Sequence, residues 1–125
     1  EIKAKVDNLK LADKVVFLGR RNDVCRLLNG ADVFFLPSLF EGLPVVSVET
    51  QANGLPIVMS EGVTRESGIT DIASFIPFDA PMESWVKALL HKYNNKRSLY
   101  ADIVKEKNYD LNIEAQKLRD FYLSC

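Results

Sequence analysis

Histidine, cysteine and tryptophan are scarce in this sequence, with one His, two Cys and one Trp in 125 residues. His91 and two distant thiols, Cys25 and Cys125, cannot assemble a zinc site. Two lone cysteines, one of them the last residue, do not make a disulfide framework either. A reducing cytoplasm is therefore the expected compartment. Cys25, within Val24-Cys25-Arg26-Leu27-Leu28, reads as a small buried thiol. Long apolar runs are also missing: none approaches the roughly 20 residues that a membrane span requires. No stretch has the pattern of a signal peptide. An excess of one charge is missing too. The net charge of −1 removes any global case for nucleic acid or an anionic membrane as partner.

What is present suits a single folded domain. The chain is 47% hydrophobic and 26% charged, so it can build a core and does not have the composition of a disordered segment. It opens on Glu1 rather than methionine, and is expected to be a piece of a longer protein. Charge is spread unevenly. Residues 32–79 hold seven acids (Asp32, Glu41, Glu49, Glu61, Glu66, Asp71, Asp79) and one cation, Arg65.

The hydrophobic pattern alternates between short apolar runs and helical stretches. Residues 1–12 have helical composition, with Ile2, Val6 and Leu9 on one face. Lys14-Val15-Val16-Phe17-Leu18-Gly19 reads as a buried strand ended by glycine. Asn22 or Asp23 is placed to cap a short helix through Leu28, which Asn29-Gly30 stops. Residues 33–36, 56–59 and 73–76 read as further strands. Pro44 suits the first position of a helix running to about Asn53, with Gly54 ending it. Val45, Val46, Val48 and Thr50 are β-branched, and local propensity alone allows a strand there. From Met82 the pattern is helical, with breaks near Asn94-Asn95 and between Asn108 and Asn112. Apolar strands alternating with helices predict an α/β fold: a Rossmann-like open parallel sheet flanked by helices. Ligands of such sheets bind beyond the carboxyl ends of the strands. That draws attention to residues 19–22, 37–44 and 60–66.

Two carboxylates lie near the middle loop. Glu41 precedes the helix opening at Pro44, and Glu49 lies eight residues further on, within it. On a helical grid Glu49 shares a stripe with Val45, Val48 and Ala52, so it is expected to be buried. A buried carboxylate needs donors, either from backbone amides or an Arg, or from the hydroxyls of a ligand. The helix start offers free amides and the positive end of a dipole, and Gly42 permits close approach to the backbone. Most helix starts bind only water and a cap.

Glu41-Gly42-Leu43-Pro44, then Glu49, then Ala52-Asn53-Gly54-Leu55-Pro56-Ile57-Val58 resembles the signature of family 4 (group 1) retaining glycosyltransferases. Pro37-Ser38, Phe17-Leu18-Gly19 and the Asp23, Leu27-Leu28, Ala31-Asp32-Val33 pattern fit it as well. The resemblance implies the C-terminal, donor-binding half of a GT-B fold. Residues 1–125 would then form one nucleotide-sugar-binding domain, with the acceptor domain and the first βαβ unit outside it. Glu41 would be the catalytic residue, contacting sugar hydroxyls beside the reacting carbon. Glu49 would hold the ribose. Amides around Leu43, Val45 and Val46 would hold the diphosphate, with Gly42 giving the donor close approach and Pro44 in the same turn offering no N–H. Gly19 and Arg20, with Arg21, would lie near the base.

The implied activity is transfer of a hexosyl group from a nucleoside-diphosphate sugar, a UDP-sugar foremost, to a saccharide or lipid-linked acceptor in polysaccharide or glycan biosynthesis. It implies no cofactor and no metal, a cytoplasmic protein, and peripheral membrane association of the full polypeptide at the inner face. The 125 residues alone would not transfer sugar. A nucleoside diphosphate carries about two negative charges against roughly half a positive one at a helix end, so further cations are needed. In the family these are an Arg and a Lys that would precede Glu1.

Other features have plainer readings. His91 is a surface or half-buried histidine. His91, Lys92, Lys96, Arg97, Lys105 and Lys107 form a solvated helix face, and Trp85 packs in the core. A receiver-type signalling domain shares the length and α/β pattern. It needs an Asp at a strand's carboxyl end and a Lys near the last strand, whereas Asp32 precedes its strand and no Lys follows Met59 or Ile76. A non-catalytic sugar-nucleotide-binding module of the same fold is the other alternative.

Overall fold

In a computed structural model of the chain, residues 1–93 and 100–124 are described. The centre is a three-stranded parallel sheet in the order β1 (Phe34–Leu36), β2 (Ile57–Ser60), β3 (Ala73–Ile76). Phe34 pairs with Ile57 and Ile57 with Ala73, so the strands are in near register and their carboxyl ends lie together. β2, in the middle, is buried along its whole length. The period of two splits the side chains between the faces. Ile57, Met59 and Val63 form a buried cluster with Phe34, Leu36, Ala73 and Phe75. Phe35 points the other way and meets Trp85 edge-on, 5.4 Å between centroids. Trp85 belongs to α4 (Met82–Tyr93), which packs on β2 and β3. Its core placement is as expected.

The other α-helices among the described residues are α1 (Ile2–Asn8), α2 (Val24–Gly30), α3 (Val45–Ala52), α5 (Ala101–Glu106) and α6 (Leu111–Leu123). Three of them end alike. After α3, Gly54 turns left-handed at φ 71°, its amide reaching Gln51 O and that of Leu55 reaching Thr50 O. Lys10 after α1 and Asn108 after α5 repeat the pattern at φ 55° and 66°. These pairs of bonds satisfy the last helical carbonyls. α1 therefore stops earlier than the expected limit near Ala12. Asp110 caps α6 by accepting from the amides of Asn112 and Ile113. The expected break at Asn94-Asn95 lies outside the described residues, as do Cys125, Lys96 and Arg97.

Several expectations are corrected. Residues 15–19 form no strand, and Val16 is 77% exposed. A strand needs a partner for its amides and carbonyls, and this run pairs with none of β1, β2 and β3. Cys25 is exposed, not buried, because Leu28 is the α2 residue turned inward. Lys92 is buried rather than solvated, its ammonium donating to Asp71 O at 3.4 Å. Glu49 is exposed, and the apolar stripe expected of α3 is not its buried side.

Helix α3 buries Ser47, Thr50 and Gln51 instead. The Gln51 amide explains this. Its nitrogen donates to Ser47 O at 2.9 Å and Ser67 O at 2.7 Å, and its oxygen accepts from the amide and hydroxyl of Thr70. A fully bonded buried amide fixes the helix's rotation against residues 67–70, and the small Ser47 and Thr50 then face inward with it.

Candidate functional site

The carboxyl ends of β1 and β2 carry the loops that build the site. Pro37 ends β1, and residues 38–44 lead to α3. Pro44 is the N-cap, so α3 begins at Val45, one residue later than expected. Ser47 is the first residue whose amide finds a carbonyl behind it, Pro44 O at 2.9 Å, and its hydroxyl donates to the same atom at 2.7 Å. The amides of Val45 and Val46 have no helical acceptor at that position. Among the sequence candidates, Gly42, Leu43, Pro44, Val45 and Val46 thus form one continuous turn into a helix N-terminus. A Cβ at Gly42 would meet nothing within 4 Å, so the space over that backbone is open.

Glu41 is half-buried at the start of this turn. Its backbone is bridged in parallel to Val63 in the loop after β2. Its amide donates to Gly62 O at 3.0 Å and its carbonyl accepts from Thr64 N at 3.1 Å. Among the described residues its side chain has only a long contact, Ser38 Oγ to Oε1 at 3.5 Å. The carboxylate therefore retains most of its capacity to accept hydrogen bonds. It lines a groove of about 540 Å³ with Phe40, Gly42, Glu61, Thr64 and Arg65.

Arg65 went unassigned in the sequence beyond being the lone cation of its segment. It pairs with Glu61 at 2.5 Å and stacks over Phe75, 4.5 Å from the ring centroid. Its position four residues after Glu61, in the loop after β2, was the available signal. Two carboxylates against one guanidinium leave the groove net negative. That suits hydroxyl donors better than phosphate oxygens.

The other candidates stand apart. Glu49 lies on the second turn of α3 with its side chain exposed. Gly19 takes a left-handed φ of 64°, and Arg20 beside it is exposed. Among the described residues no hydrogen bond or ion pair joins Gly19 or Arg20 to residues 38–44. Arg21 is committed to Asp23 through two bonds of 2.7 and 2.6 Å. That pair holds the Asp23 carboxyl below the usual carboxylate range and raises the guanidinium.

The sequence profile described as "Glycosyl transferases group 1" matches residues 1–95. The chain belongs to the group 1 glycosyltransferases. This membership sets aside the receiver-type alternative. The "Putative glycosyltransferase EpsF" of Bacillus subtilis is 30% identical over 98% of this chain and 33% of its own length. An Escherichia coli protein, "UDP-Gal:alpha-D-GlcNAc-diphosphoundecaprenol alpha-1,3-galactosyltransferase", is 43% identical over 42% of this chain and 14% of its own. A Campylobacter jejuni relative, "N,N'-diacetylbacillosaminyl-diphospho-undecaprenol alpha-1,3-N-acetylgalactosaminyltransferase", is 47% identical over 38% of this chain and 12% of its own. This glycosyltransferase chain spans a third or less of the length of these relatives. No solved structure matches it. Among its described residues no helix is long and apolar enough to cross a membrane.

Proposed function

We propose that this chain is the donor-binding part of a retaining glycosyltransferase of GT-B architecture. It would take a hexosyl group from a nucleoside-diphosphate sugar. The observation that carries the reading is local: an under-bonded carboxylate, Glu41, opens directly into the helix N-terminus at Val45 and Val46. A diphosphate seated on those amides would place its sugar beside Glu41. Glu41 would orient sugar hydroxyls and stabilise charge as the glycosidic bond breaks, the diphosphate leaving against the helix end. Glu49, exposed on the same helix, would accept from the ribose hydroxyls. Gly19 and Arg20 would border the base. No metal ion enters this scheme.

Positive charge is short, since Arg65 is already paired with Glu61. Cations from another part of the polypeptide would complete the diphosphate site, and another domain would bind the acceptor. On this reading the 125 residues bind donor without transferring it. The E. coli relative's name contains a UDP-sugar and a lipid diphosphate, which favours a UDP-sugar donor and a lipid-linked or saccharide acceptor here. Such an acceptor would bring the full protein to the inner face of the cytoplasmic membrane as a peripheral enzyme of glycan synthesis.

Calorimetric titration of UDP-glucose, UDP-galactose, UDP-N-acetylglucosamine and GDP-mannose tests the reading. At least one should bind, and Glu49→Ala should weaken it about tenfold or more, as expected for lost bonds to a charged acceptor. No binding by any of the four, or an unchanged affinity in Glu49→Ala, would overturn it.

A further inference from the structure

The geometry points to Gly62 as a positioning residue for Glu41, resting on the donor reading above. Gly62 follows β2, in the loop that runs alongside residues 38–41. A Cβ there would fall onto the carbonyl oxygen of Leu39, 2.7 Å from Leu39 C and 2.8 Å from Ser38 O. All three neighbours are backbone atoms, so no side chain can swing aside. Only glycine lets the two loops approach this closely. The conformation itself is not the constraint, because the φ of Gly62 lies outside the left-handed region.

Close approach is what the clamp on Glu41 needs. Gly62 O accepts the Glu41 amide, and two residues on, Thr64 N donates to the Glu41 carbonyl. Upstream, the buried hydroxyl of Ser60 donates to Ser38 O. Glu41 is therefore held from both sides by the loop after β2, while its carboxylate stays nearly unengaged. Fixing the backbone of a ligand-binding residue without spending its side chain is how a loop is pre-organised. Pushing residues 38–41 away by one methyl group would shift the Glu41 carboxylate. It would disturb the start of α3 less, because the helix has its own anchor: Gln51 in its last turn bonds Ser67 O and Thr70 N, and its amide also ties back to Ser47 O.

This separation sets the test. NMR titrations of the 125-residue chain compare UDP-glucose with UDP, which lacks the sugar. In Gly62→Ala the affinity for UDP-glucose should fall about tenfold, a shift of about 1.4 kcal/mol, while that for UDP changes less than about twofold. General destabilisation would weaken both ligands alike and overturn the inference. Ser60→Ala, a milder change, should move the ratio the same way by about two- to fivefold.

Amide hydrogen exchange supplies an arm independent of ligand and of variant folding. In the unaltered protein the Glu41 and Thr64 amides should exchange more slowly than that of Gly42. Equal rates would overturn the clamp. Fast exchange of Glu41 in Gly62→Ala with an unchanged ligand ratio would overturn the inference alone. An unchanged ratio in Glu41→Ala would overturn the donor reading, and the inference with it.

Discussion

Val16-Phe17-Leu18 and Ile57-Val58-Met59 are both runs of three large apolar residues, and they finish in opposite environments. The second is fully buried at the centre of the sheet, while Phe17 and Leu18 are about half exposed and Val16 more so. Composition does not separate them. Ile57 to Met59 have strand neighbours on both sides, at Phe34 to Leu36 and at Ala73 to Phe75. The first run has no ladder partner among β1 to β3, and the Phe17 ring carries the Lys3 ammonium 5.5 Å from its centroid. A strand is a property of a pair, so an apolar run specifies only a capacity to join a sheet.

The largest way to break this comparison is a matched truncation. Ile57→Ala should cost about 2–5 kcal/mol, the range for a large aliphatic removed from a packed core. Phe17→Ala should cost under about 1 kcal/mol, the scale of an exposed cation–π contact. Urea unfolding of both variants measures the difference. Equal losses would mean that Phe17 is buried in solution and that residues 15–19 have found a partner.

A second contrast lies within α3, where a polar residue is buried and an apolar one exposed. Gln51→Ala should destabilise by roughly 1–3 kcal/mol for each buried group it orphans, chiefly the Ser67 carbonyl and the Thr70 amide. Val45, 70% exposed, should tolerate replacement by Ala within about 0.5 kcal/mol. The same unfolding experiment checks both. A reversed order would mean that the helix is rotated as its apolar stripe suggests.

The smallest effect concerns Lys92, the one buried cation among the described residues. Burial pushes its pKa below 10.5, and Asp71 nearby opposes the shift in part. Between the lowered folded value and the ordinary one, the unfolded chain binds more protons than the folded chain. Stability from this group therefore rises with pH across that window, and the cost of burying the charge is present in full below it. Lys92→Met should flatten the rise in urea midpoint between neutral pH and 10.5. A slope equal to that of the unaltered protein would place the ammonium in solvent.

Much of the fold was legible. β1, β2 and β3 were readable as apolar runs, and α4 as a helical period starting at Met82. Gly54 was readable as a helix terminator because glycine takes a left-handed φ without strain. Lys10 and Asn108 serve the same purpose, but a lysine or asparagine carries a weaker sequence signal for it. The turn from Glu41 to Val46 was also legible, since proline and glycine restrict the backbone locally. Three burial assignments were not: Glu49, Cys25 and Lys92. Each followed from a helical stripe or a local cluster, and each was settled by what stands opposite it.

The sequence by itself determined the family, the parallel α/β pattern and the order Glu41, Gly42, Pro44, because motifs and periodicities are local. Tertiary structure alone decided that residues 15–19 lie outside the sheet and that Gln51 sets the rotation of α3. It also decided that the loop after β2 grips Glu41 through Gly62 and Thr64. The physical reason is common to all three. Backbone donors and acceptors must be paired across segments far apart in the chain, and a sequence position does not record who stands across from it.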